Sequence, residues 1–309
     1  MALTELVMAE ARRFFDLSDT AKREIDYSRS PAFRGYMSVG VENTAGKPDL
    51  REQVEIATEG LPAPAAAWPP YERLRGPNQW PSAQPELQRV VLEYTEHMLH
   101  VSADITQALT MALALPADTL APSFEPAPHW QLKLASYEPG AEAADESAPP
   151  QIGVGAHTDS GFLTCLLQDS AGGLQAYTQG EWVDVPFIGL DTIVCNLGEV
   201  AEVSSGGYLL ATPHRVLSPP VPRLSVPFFY NPALEARIEP LTLPPSLPWE
   251  RDSAYDEQLH WRRPSNAMLR EYGANAFKSL ARSHPAVFAK HHPDLSVLDD
   301  GRVVHTAAV

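Results

Sequence analysis

Residues 155–159 read Gly155-Ala156-His157-Thr158-Asp159 and close a segment that we predict to be a β-strand. Because His157 and Asp159 are two positions apart, their side chains leave the strand on the same side. A later predicted strand opens with His214. Two histidines and one carboxylate are the protein ligands of a non-haem iron(II) site, which leaves the other metal positions open for oxygen and a co-substrate. We therefore predict that His157, Asp159 and His214 are the metal ligands and the catalytic centre of an oxygen-activating enzyme.

Other metals favour other ligand sets. A closed structural zinc site normally has four ligands, often cysteines, and neither Cys165 nor Cys195 has the spacing of a metal ligand. Catalytic zinc sites can use two histidines and one carboxylate, so a zinc hydrolase remains an alternative at this point.

A pair of residues suited to binding a carboxylate follows His214 in the sequence. Arg223 lies nine residues further on, near the start of the predicted strand 224–230, and Ser225 points to the same face of that strand. A guanidinium fork and a hydroxyl together can hold a carboxylate by several hydrogen bonds. We expect Arg223 and Ser225 to bind a carboxylate-bearing co-substrate beside the metal.

The middle of the chain has the pattern of a β-sheet protein. Short β-rich segments are separated by Gly, Pro and Asp turns, and we predict strands at 129–137, 152–157, 162–168, 174–177, 181–185, 191–197, 208–210, 214–217 and 224–230. Many short strands at this spacing are typical of a double-sheet jelly roll or a barrel.

Helices are predicted on both sides of the strands. Apolar residues recur at helical spacing over 3–26, over 85–115 and from Tyr255 to Leu280 with an interruption at Pro264. Residues 28–50 and 61–84 contain the Gly and Pro of irregular chain. The predicted fold class is therefore mainly β with flanking helices.

Composition limits the partners and the compartment. The chain has 309 residues, of which 44% are hydrophobic, and its formal net charge is −16. Phosphates would repel so acidic a chain, so we expect a small-molecule substrate and neither a nucleic acid nor a membrane as partner. Cys165 and Cys195 lie in apolar segments and are expected to be buried free thiols, which favours a cytoplasmic location. We expect a monomer or a weak homodimer.

Over nearly its whole length the chain resembles the iron(II)- and 2-oxoglutarate-dependent dioxygenases of the isopenicillin N synthase-like branch. The stretches that carry the resemblance are His157-Thr158-Asp159-Ser160-Gly161-Phe162-Leu163-Thr164, Val194-Cys195-Asn196-Leu197-Gly198-Glu199, Thr212-Pro213-His214-Arg215-Val216, Arg223-Leu224-Ser225-Val226-Pro227-Phe228-Phe229 and, upstream, Asp49-Leu50-Arg51-Glu52. The resemblance implies a double-stranded β-helix, or jelly-roll, core in residues 128–240. Residues 1–127 would be a helical N-terminal region packed on that core, and residues 241–309 a C-terminal helical extension.

The resemblance also implies roles for single residues and a set of cofactors. His157, Asp159 and His214 would bind Fe(II), while Arg223 and Ser225 would bind the distal carboxylate of 2-oxoglutarate. Oxygen, O2, would be the third reactant. Tyr137 matches a tyrosine that often helps to hold the co-substrate, although Ala135-Ser136 replaces the asparagine–tyrosine pair that usually precedes it. Phe229 matches a position that often faces the organic substrate. In the layout of the family, residues 38–60, with Arg51 and Glu55, line the mouth of the site.

The implied activity is hydroxylation or desaturation of a small organic molecule with release of succinate and CO2. One alternative is an Fe(II) oxidase of the same fold that does not consume 2-oxoglutarate, as in isopenicillin N synthase itself. Another is a non-catalytic jelly-roll binding protein. Among the remaining histidines, we expect His129 to be structural and hydrogen-bonded, His284 to lie in a turn, and His291 and His292 to be solvated.

Overall fold

Two antiparallel sheets form the centre of the protein. The computed structural model describes residues 2–44, 47–139, 151–218, 220–247 and 268–306. The larger sheet has six strands in the spatial order β1 (Gly35–Met37), β4 (Glu52–Ala57), β5 (His129–Tyr137), β12 (Arg223–Asn231), β7 (Leu163–Gln168) and β10 (Val194–Leu197). The smaller sheet has the order β6 (Ile152–His157), β11 (His214–Leu217), β8 (Leu174–Thr178) and β9 (Glu181–Asp184). This architecture confirms the predicted jelly-roll fold class.

Helices and two short hairpins surround the sheets. The helices are α1 (Leu3–Phe15), α2 (Asp19–Lys22), α3 (Pro85–Ala112), α4 (Glu199–Ser204), α5 (Tyr272–Ser283) and α6 (Pro285–His291), and the hairpins are β2 (Asn43–Thr44) with β3 (Lys47–Pro48) and β13 (Leu295–Val297) with β14 (Val303–His305). The described residues contain no helix that is long and apolar enough to cross a membrane.

The alternation of residues along β12 explains how one strand serves both the core and the site. Leu224, Val226 and Phe228 are almost completely buried in the main hydrophobic core. The intervening residues, among them Arg223 and Ser225, point to the opposite face and line an internal cavity. Because alternate side chains of a strand point to opposite faces, packing of the apolar side chains in the core also fixes the direction of the polar side chains on the other face.

The long helix α3 closes the outer side of the larger sheet. Its Pro85 stands at the first helical position, where a missing N–H costs nothing. The first half of its apolar stripe is buried and includes Leu87, Val90, Tyr94 and Met98, as the helical spacing predicted. In the second half Val101 is exposed, and Ser102 and Thr106 take the buried face instead.

Several local expectations need correction. The segment 28–50 was expected to be irregular, but β1 forms there and pairs with β4 at the edge of the larger sheet. The strand expected at 208–210 does not form. The helical pattern over 3–26 divides into α1, which ends at Phe15, and α2, and the side-chain oxygen of Ser18 caps the first turn of α2. The first half of the helix expected from Tyr255 to Leu280 lies outside the described residues, and α5 starts at Tyr272.

Candidate active site

The three residues predicted to bind the metal come together between the two sheets. His157 ends β6 and His214 begins β11, and these two residues are direct partners in the antiparallel pairing. One carboxylate oxygen of Asp159, Oδ1, lies 3.9 Å from Nε2 of His157 and 3.8 Å from Nε2 of His214. A single ion with bonds of about 2.1 Å can bridge atoms at these distances. The donor set of two imidazoles and one carboxylate fits iron(II).

The two imidazole rings are oriented for metal binding by the backbone. Nδ1 of His157 lies 2.8 Å from the carbonyl oxygen of Gly155, and Nδ1 of His214 lies 3.0 Å from that of Thr212. Because a carbonyl can only accept, each Nδ1 carries the proton and each Nε2 keeps a free lone pair that points to the ligand cluster.

The carboxylate of Asp159 is oriented by the other sheet. Its second oxygen, Oδ2, accepts hydrogen bonds from Thr164 Oγ1 at 2.6 Å and from Asn196 Nδ2 at 2.7 Å. The loop that carries Asp159 also passes close to Gly198, where a Cβ atom would lie 2.8 Å from the carbonyl oxygen of Asp159. The backbone N–H of Glu199 donates to that same carbonyl. Asp159 is therefore held from both its side chain and its backbone.

The electrostatics of the cluster keep it ready for a cation. Burial, together with the neighbouring His214, lowers the pKa of His157 to about 4, so its imidazole is neutral near pH 7. Burial would raise the pKa of Asp159, but the two histidines and the hydrogen bonds from Thr164 and Asn196 outweigh it and lower the pKa below its usual range. His157 thus presents a neutral nitrogen to the site, and Asp159 presents an ionised carboxylate.

Arg223 and Ser225 lie in the same cavity and touch each other. The side chain of Arg223 is almost completely buried, with the residue only 1% exposed, and its Nη1 donates to Ser225 Oγ at 3.0 Å. Its Nε donates to the carbonyl oxygen of Gly172 at 2.9 Å, and its Nη2 to Gln168 Oε1 at 3.3 Å. These contacts fix the plane of the guanidinium fork. No described carboxylate pairs with this buried cation, so it is suited to an anionic ligand.

Tyr137 completes this end of the cavity. It is the strand partner of Arg223, whose guanidinium carbon lies 4.8 Å from the centre of the tyrosine ring. Its hydroxyl accepts a hydrogen bond from Arg51 Nη1 at 3.2 Å. Burial would raise the pKa of Tyr137, but Arg51 and Arg223 lower it on balance. Although Ala135-Ser136 replaces the usual asparagine–tyrosine pair, Tyr137 still contacts Arg223, one of the two residues predicted to bind the co-substrate.

The cavity that contains these groups has a volume of about 520 Å³. Phe229 and Leu174 line it, whereas Phe162 and Phe228 are packed in the main core. Phe229 is the strand partner of Thr164, the residue that holds Asp159, and both residues line the cavity. Arg51 and Glu55 line the cavity as well.

Sequence reasoning missed the two residues that orient Asp159. Thr164 and Asn196 lie on neighbouring strands and become partners only through the register of β7 with β10. The one available signal was their place inside the motifs that carry the family resemblance. Glu199 accepts a hydrogen bond from Thr158 Oγ1 at 2.6 Å and lines the cavity.

Several expectations for other residues were wrong. Cys165 is buried, but Cys195 is exposed and lines the cavity, with its sulfur 3.8 Å from that of Cys165. His292 was expected to be solvated, but it is 1% exposed and stacks on the aromatic ring of Phe33. His284 lies in the connection between α5 and α6, which agrees with the expected turn, and it is buried against the same ring. His129 is buried as expected, but its Nε2 has no hydrogen-bond partner in the described part of the chain.

The unpartnered His129 should make the apoprotein sensitive to acid. Burial lowers the pKa of His129 to about 3, while an unfolded histidine titrates near 6.5. The unfolded state therefore binds the extra proton first, and the stability present above about pH 6.5 is lost as the pH falls. Between pH 7 and pH 4, the free energy of unfolding of His129→Leu should fall by about 3 kcal/mol less than that of the wild type. Urea unfolding at the two pH values measures this difference. The exposed His97→Leu is the matched control, and an unchanged pH dependence in His129→Leu would refute the expectation.

A jelly roll with two histidines and a carboxylate between its sheets, and a buried arginine in the same cavity, defines the class of non-haem iron(II) oxygenases that use a 2-oxo acid. Family models bear this out. Residues 129–232 match the 2OG-Fe(II) oxygenase superfamily, and residues 1–83 match the N-terminal region of non-haem dioxygenases of morphine synthesis. The chain belongs to the 2OG-Fe(II) oxygenase superfamily and is a 2-oxoglutarate-dependent dioxygenase, with Fe(II), 2-oxoglutarate and O2 as its cofactors and reactants.

Individual relatives agree with this family. The chain is 37% identical over 251 residues to a 2-oxoglutarate-dependent dioxygenase, frbJ, of Dothideomycetidae sp., covering 80% of this chain and 67% of the relative. It is 33% identical over 236 residues to a homoarginine-6-hydroxylase of Arabidopsis thaliana, covering 75% and 70% of the two chains. Among solved structures, it is similar to a full-length Neurospora crassa protein in complex with alpha-KG, with a TM-score of 0.71, 25% identity and coverage of 91% and 82%.

Proposed function

We propose that His157, Asp159 and His214 bind the iron(II) of this oxygenase, and that Arg223, Ser225 and Tyr137 bind the distal carboxylate of 2-oxoglutarate. The observation that carries the proposal is the approach of Asp159 Oδ1 to both Nε2 atoms, with each Nδ1 committed to a backbone carbonyl. The buried guanidinium of Arg223 lies in the same cavity and offers a fixed fork to an anion.

The protein's own side chains supply binding, orientation and exclusion of water. Bound iron(II), 2-oxoglutarate and O2 supply the oxidising chemistry, in which 2-oxoglutarate is converted to succinate and CO2 and the organic substrate is hydroxylated or desaturated. Arg223 neutralises the charge of the co-substrate, and its contacts with Ser225 and Tyr137 hold it in place before any ligand arrives. Apolar residues between the sheets, among them Val154, Leu166 and Val216, keep water from this end of the cavity.

We further infer that Phe229 contacts a small organic substrate beside the metal, since it lines the cavity together with its strand partner Thr164, which holds Asp159. Relatives named homoarginine-6-hydroxylase make homoarginine a first compound to test. The same proposal divides the chain into an N-terminal region (1–127), a jelly-roll core (128–240) and a C-terminal extension (241–309). It also includes a monomeric or weakly dimeric state and a cytoplasmic location without nucleic-acid or membrane partners. The net charge of −16 supports the absence of phosphate-bearing partners.

Anaerobic reconstitution tests the proposal directly. Iron(II) followed by 2-oxoglutarate should produce the weak visible charge-transfer band of the chelate, and admission of oxygen should release one succinate for each 2-oxoglutarate consumed. Iron binding without a band, or oxygen consumption without succinate, would favour the oxidase alternative. No iron binding in the folded protein would refute the proposed ligands.

A further inference from the structure

The two cysteines of the chain lie directly opposite each other on neighbouring strands. Cys165 of β7 is the strand partner of Cys195 of β10, and their sulfur atoms are 3.8 Å apart. Partners in an antiparallel pair have Cα atoms about 4.5–5.5 Å apart, which is within the range of about 4.4–6.8 Å that a disulfide needs. Directly opposed side chains also leave the sheet on the same face. The two sulfur atoms are therefore placed to form a disulfide within one chain.

The two thiols differ in their surroundings. Cys165 is fully buried and contacts Ser102 Oγ at 3.6 Å. Cys195 is exposed and lies on the edge strand of the larger sheet. A hydrogen bond from the Cys165 thiol lowers the pKa of Cys195 below its usual range, although partial burial opposes this effect. Cys195 is thus the thiol that an oxidant in solution reaches, and Cys165 is the buried thiol that can condense with the oxidised sulfur.

A metal ion is not the occupant that this pair favours. Thiolates bind zinc and copper, but a zinc site in a protein normally has at least three protein ligands. Among the residues that the structure describes, neither cysteine belongs to a group of three or more histidine, cysteine, aspartate or glutamate side chains that could hold a metal. An accessible thiol beside a second, resolving thiol is instead the arrangement of a redox-sensitive pair.

Each cysteine is next in sequence to a residue that orients Asp159. Thr164 precedes Cys165 on β7 and donates to Asp159 Oδ2 at 2.6 Å. Asn196 follows Cys195 on β10 and donates to the same oxygen at 2.7 Å. Opposed Cβ atoms in a sheet are about 4.5–5.5 Å apart, whereas a disulfide holds them about 3.5–4.5 Å apart. Closure of the disulfide would therefore draw β7 and β10 together by about 1 Å beside the two residues that orient this carboxylate.

We propose that Cys165 and Cys195 form a redox-modification site, at which a peroxide converts the two thiols to a disulfide and thereby weakens iron(II) binding at Asp159. The Cys195 thiolate attacks one oxygen of hydrogen peroxide and breaks the O–O bond, which gives a sulfenic acid and a hydroxide ion. The hydroxide takes up the proton that Cys195 released. The sulfur of Cys165 then displaces the hydroxyl group from the Cys195 sulfur, and the proton of the Cys165 thiol leaves with that group as water. The two thiols lose two electrons, and the peroxide gains them.

The disulfide should be readily reversible. A bond that draws two strands together is strained, and strained or exposed disulfides are the ones that thiols reduce most easily. Reduction would restore the arrangement in which Thr164 and Asn196 hold the carboxylate of Asp159. The loss of iron affinity rests on the proposed function, because it assumes that Asp159 is a metal ligand, whereas the formation of the disulfide does not depend on it.

Treatment of the full-length, iron-free protein with hydrogen peroxide tests the inference. We expect the number of free thiols to fall from two to none, and the mass of a single chain to fall by two hydrogen atoms. After removal of the peroxide, anaerobic titration should show that iron(II) binds about tenfold more weakly, and dithiothreitol should restore the thiols and the affinity. Thiols that persist, thiols that gain oxygen atoms instead, or a disulfide between two chains would overturn the inference. A disulfide within the chain that leaves iron affinity unchanged would overturn its effect on the metal site.

Variants assign the effect to the pair. Cys195→Ser should bind iron(II) equally well before and after the same treatment. Cys165→Ala should gain oxygen atoms at Cys195, because its sulfenic acid has no thiol with which to condense. Met111→Leu is the matched control, since it removes an exposed sulfur of α3 and should respond to peroxide as the wild type does.

The metal-free and metal-binding measurements separate the two proposals. An equal loss of iron affinity in peroxide-treated Cys195→Ser and wild type would refute the role of the thiols. Failure of the reduced wild type to bind iron would count against the proposed metal ligands, whereas the thiol count and the mass test the cysteine pair without any metal.

Discussion

Asp159→Ala should abolish stable iron(II) binding and all turnover in a protein that remains folded. The carboxylate supplies the only negative charge among the three proposed ligands, and its Oδ1 is the atom that approaches both imidazoles. Loss of residues that merely orient a metal ligand costs about 10- to 100-fold in affinity, so loss of the ligand itself should exceed about a hundredfold. Anaerobic titration with iron(II), followed by circular dichroism and thermal melting, measures both the loss and the integrity of the fold.

Thr164→Val provides a graded comparison at the same site. It keeps the ligand but removes the 2.6 Å hydrogen bond to Asp159 Oδ2, while the bond from Asn196 remains. We expect iron affinity to fall by about tenfold, between wild type and Asp159→Ala. If Asp159→Ala were folded and bound iron as well as Thr164→Val does, the carboxylate could not be a ligand.

The sequence allowed prediction of those parts of the fold that depend on local pattern. The strands 129–137, 152–157 and 214–217 have the predicted bounds, because each combines strand-forming residues with a clear turn on at least one side. Two of the metal ligands could be predicted for the same reason, since His157 and Asp159 are neighbours in the sequence. Their convergence with His214 needed only one further strand, and the residue pattern of 214–217 predicted that strand.

Features that depend on distant pairing were not predictable. The support of Asp159 by Asn196 requires a register that places residues of β7 and β10 opposite each other. The burial of His284 and His292 arises from the packing of α5 and α6 against Phe33, which lies near the other end of the chain. Neither the support of Asp159 nor the burial of these histidines has a signal in the local sequence, because both depend on tertiary contacts.

Arg223→Ala should raise the KM for 2-oxoglutarate by about a hundredfold or more, with a much smaller change in kcat at saturating co-substrate. Truncating one partner of a buried, hydrogen-bonded charge pair costs about 2–5 kcal/mol, and each 1.4 kcal/mol corresponds to about a factor of ten. The effect should fall on KM because Arg223 contacts the end of 2-oxoglutarate that is remote from the reacting carbon. Arg223→Lys should recover only part of the loss, since an ammonium lacks the planar fork that Ser225 and Tyr137 complete.

Two further variants decide whether Arg223 itself binds the carboxylate. Arg215→Ala is the matched control, because Arg215 lies on β11, stacks on Trp182 at 4.3 Å and has no place in the described cavity lining. Its KM for 2-oxoglutarate should stay near the wild-type value. Arg51→Ala removes the second guanidinium that contacts Tyr137. A large rise in KM for Arg51→Ala, together with an unchanged KM for Arg223→Ala, would place the carboxylate on Arg51. We expect the reverse result, because Glu42 and Asp49 already neutralise the charge of Arg51. A large rise in KM for Arg223→Ala with a smaller one for Arg51→Ala would establish that Arg223 binds the carboxylate of 2-oxoglutarate.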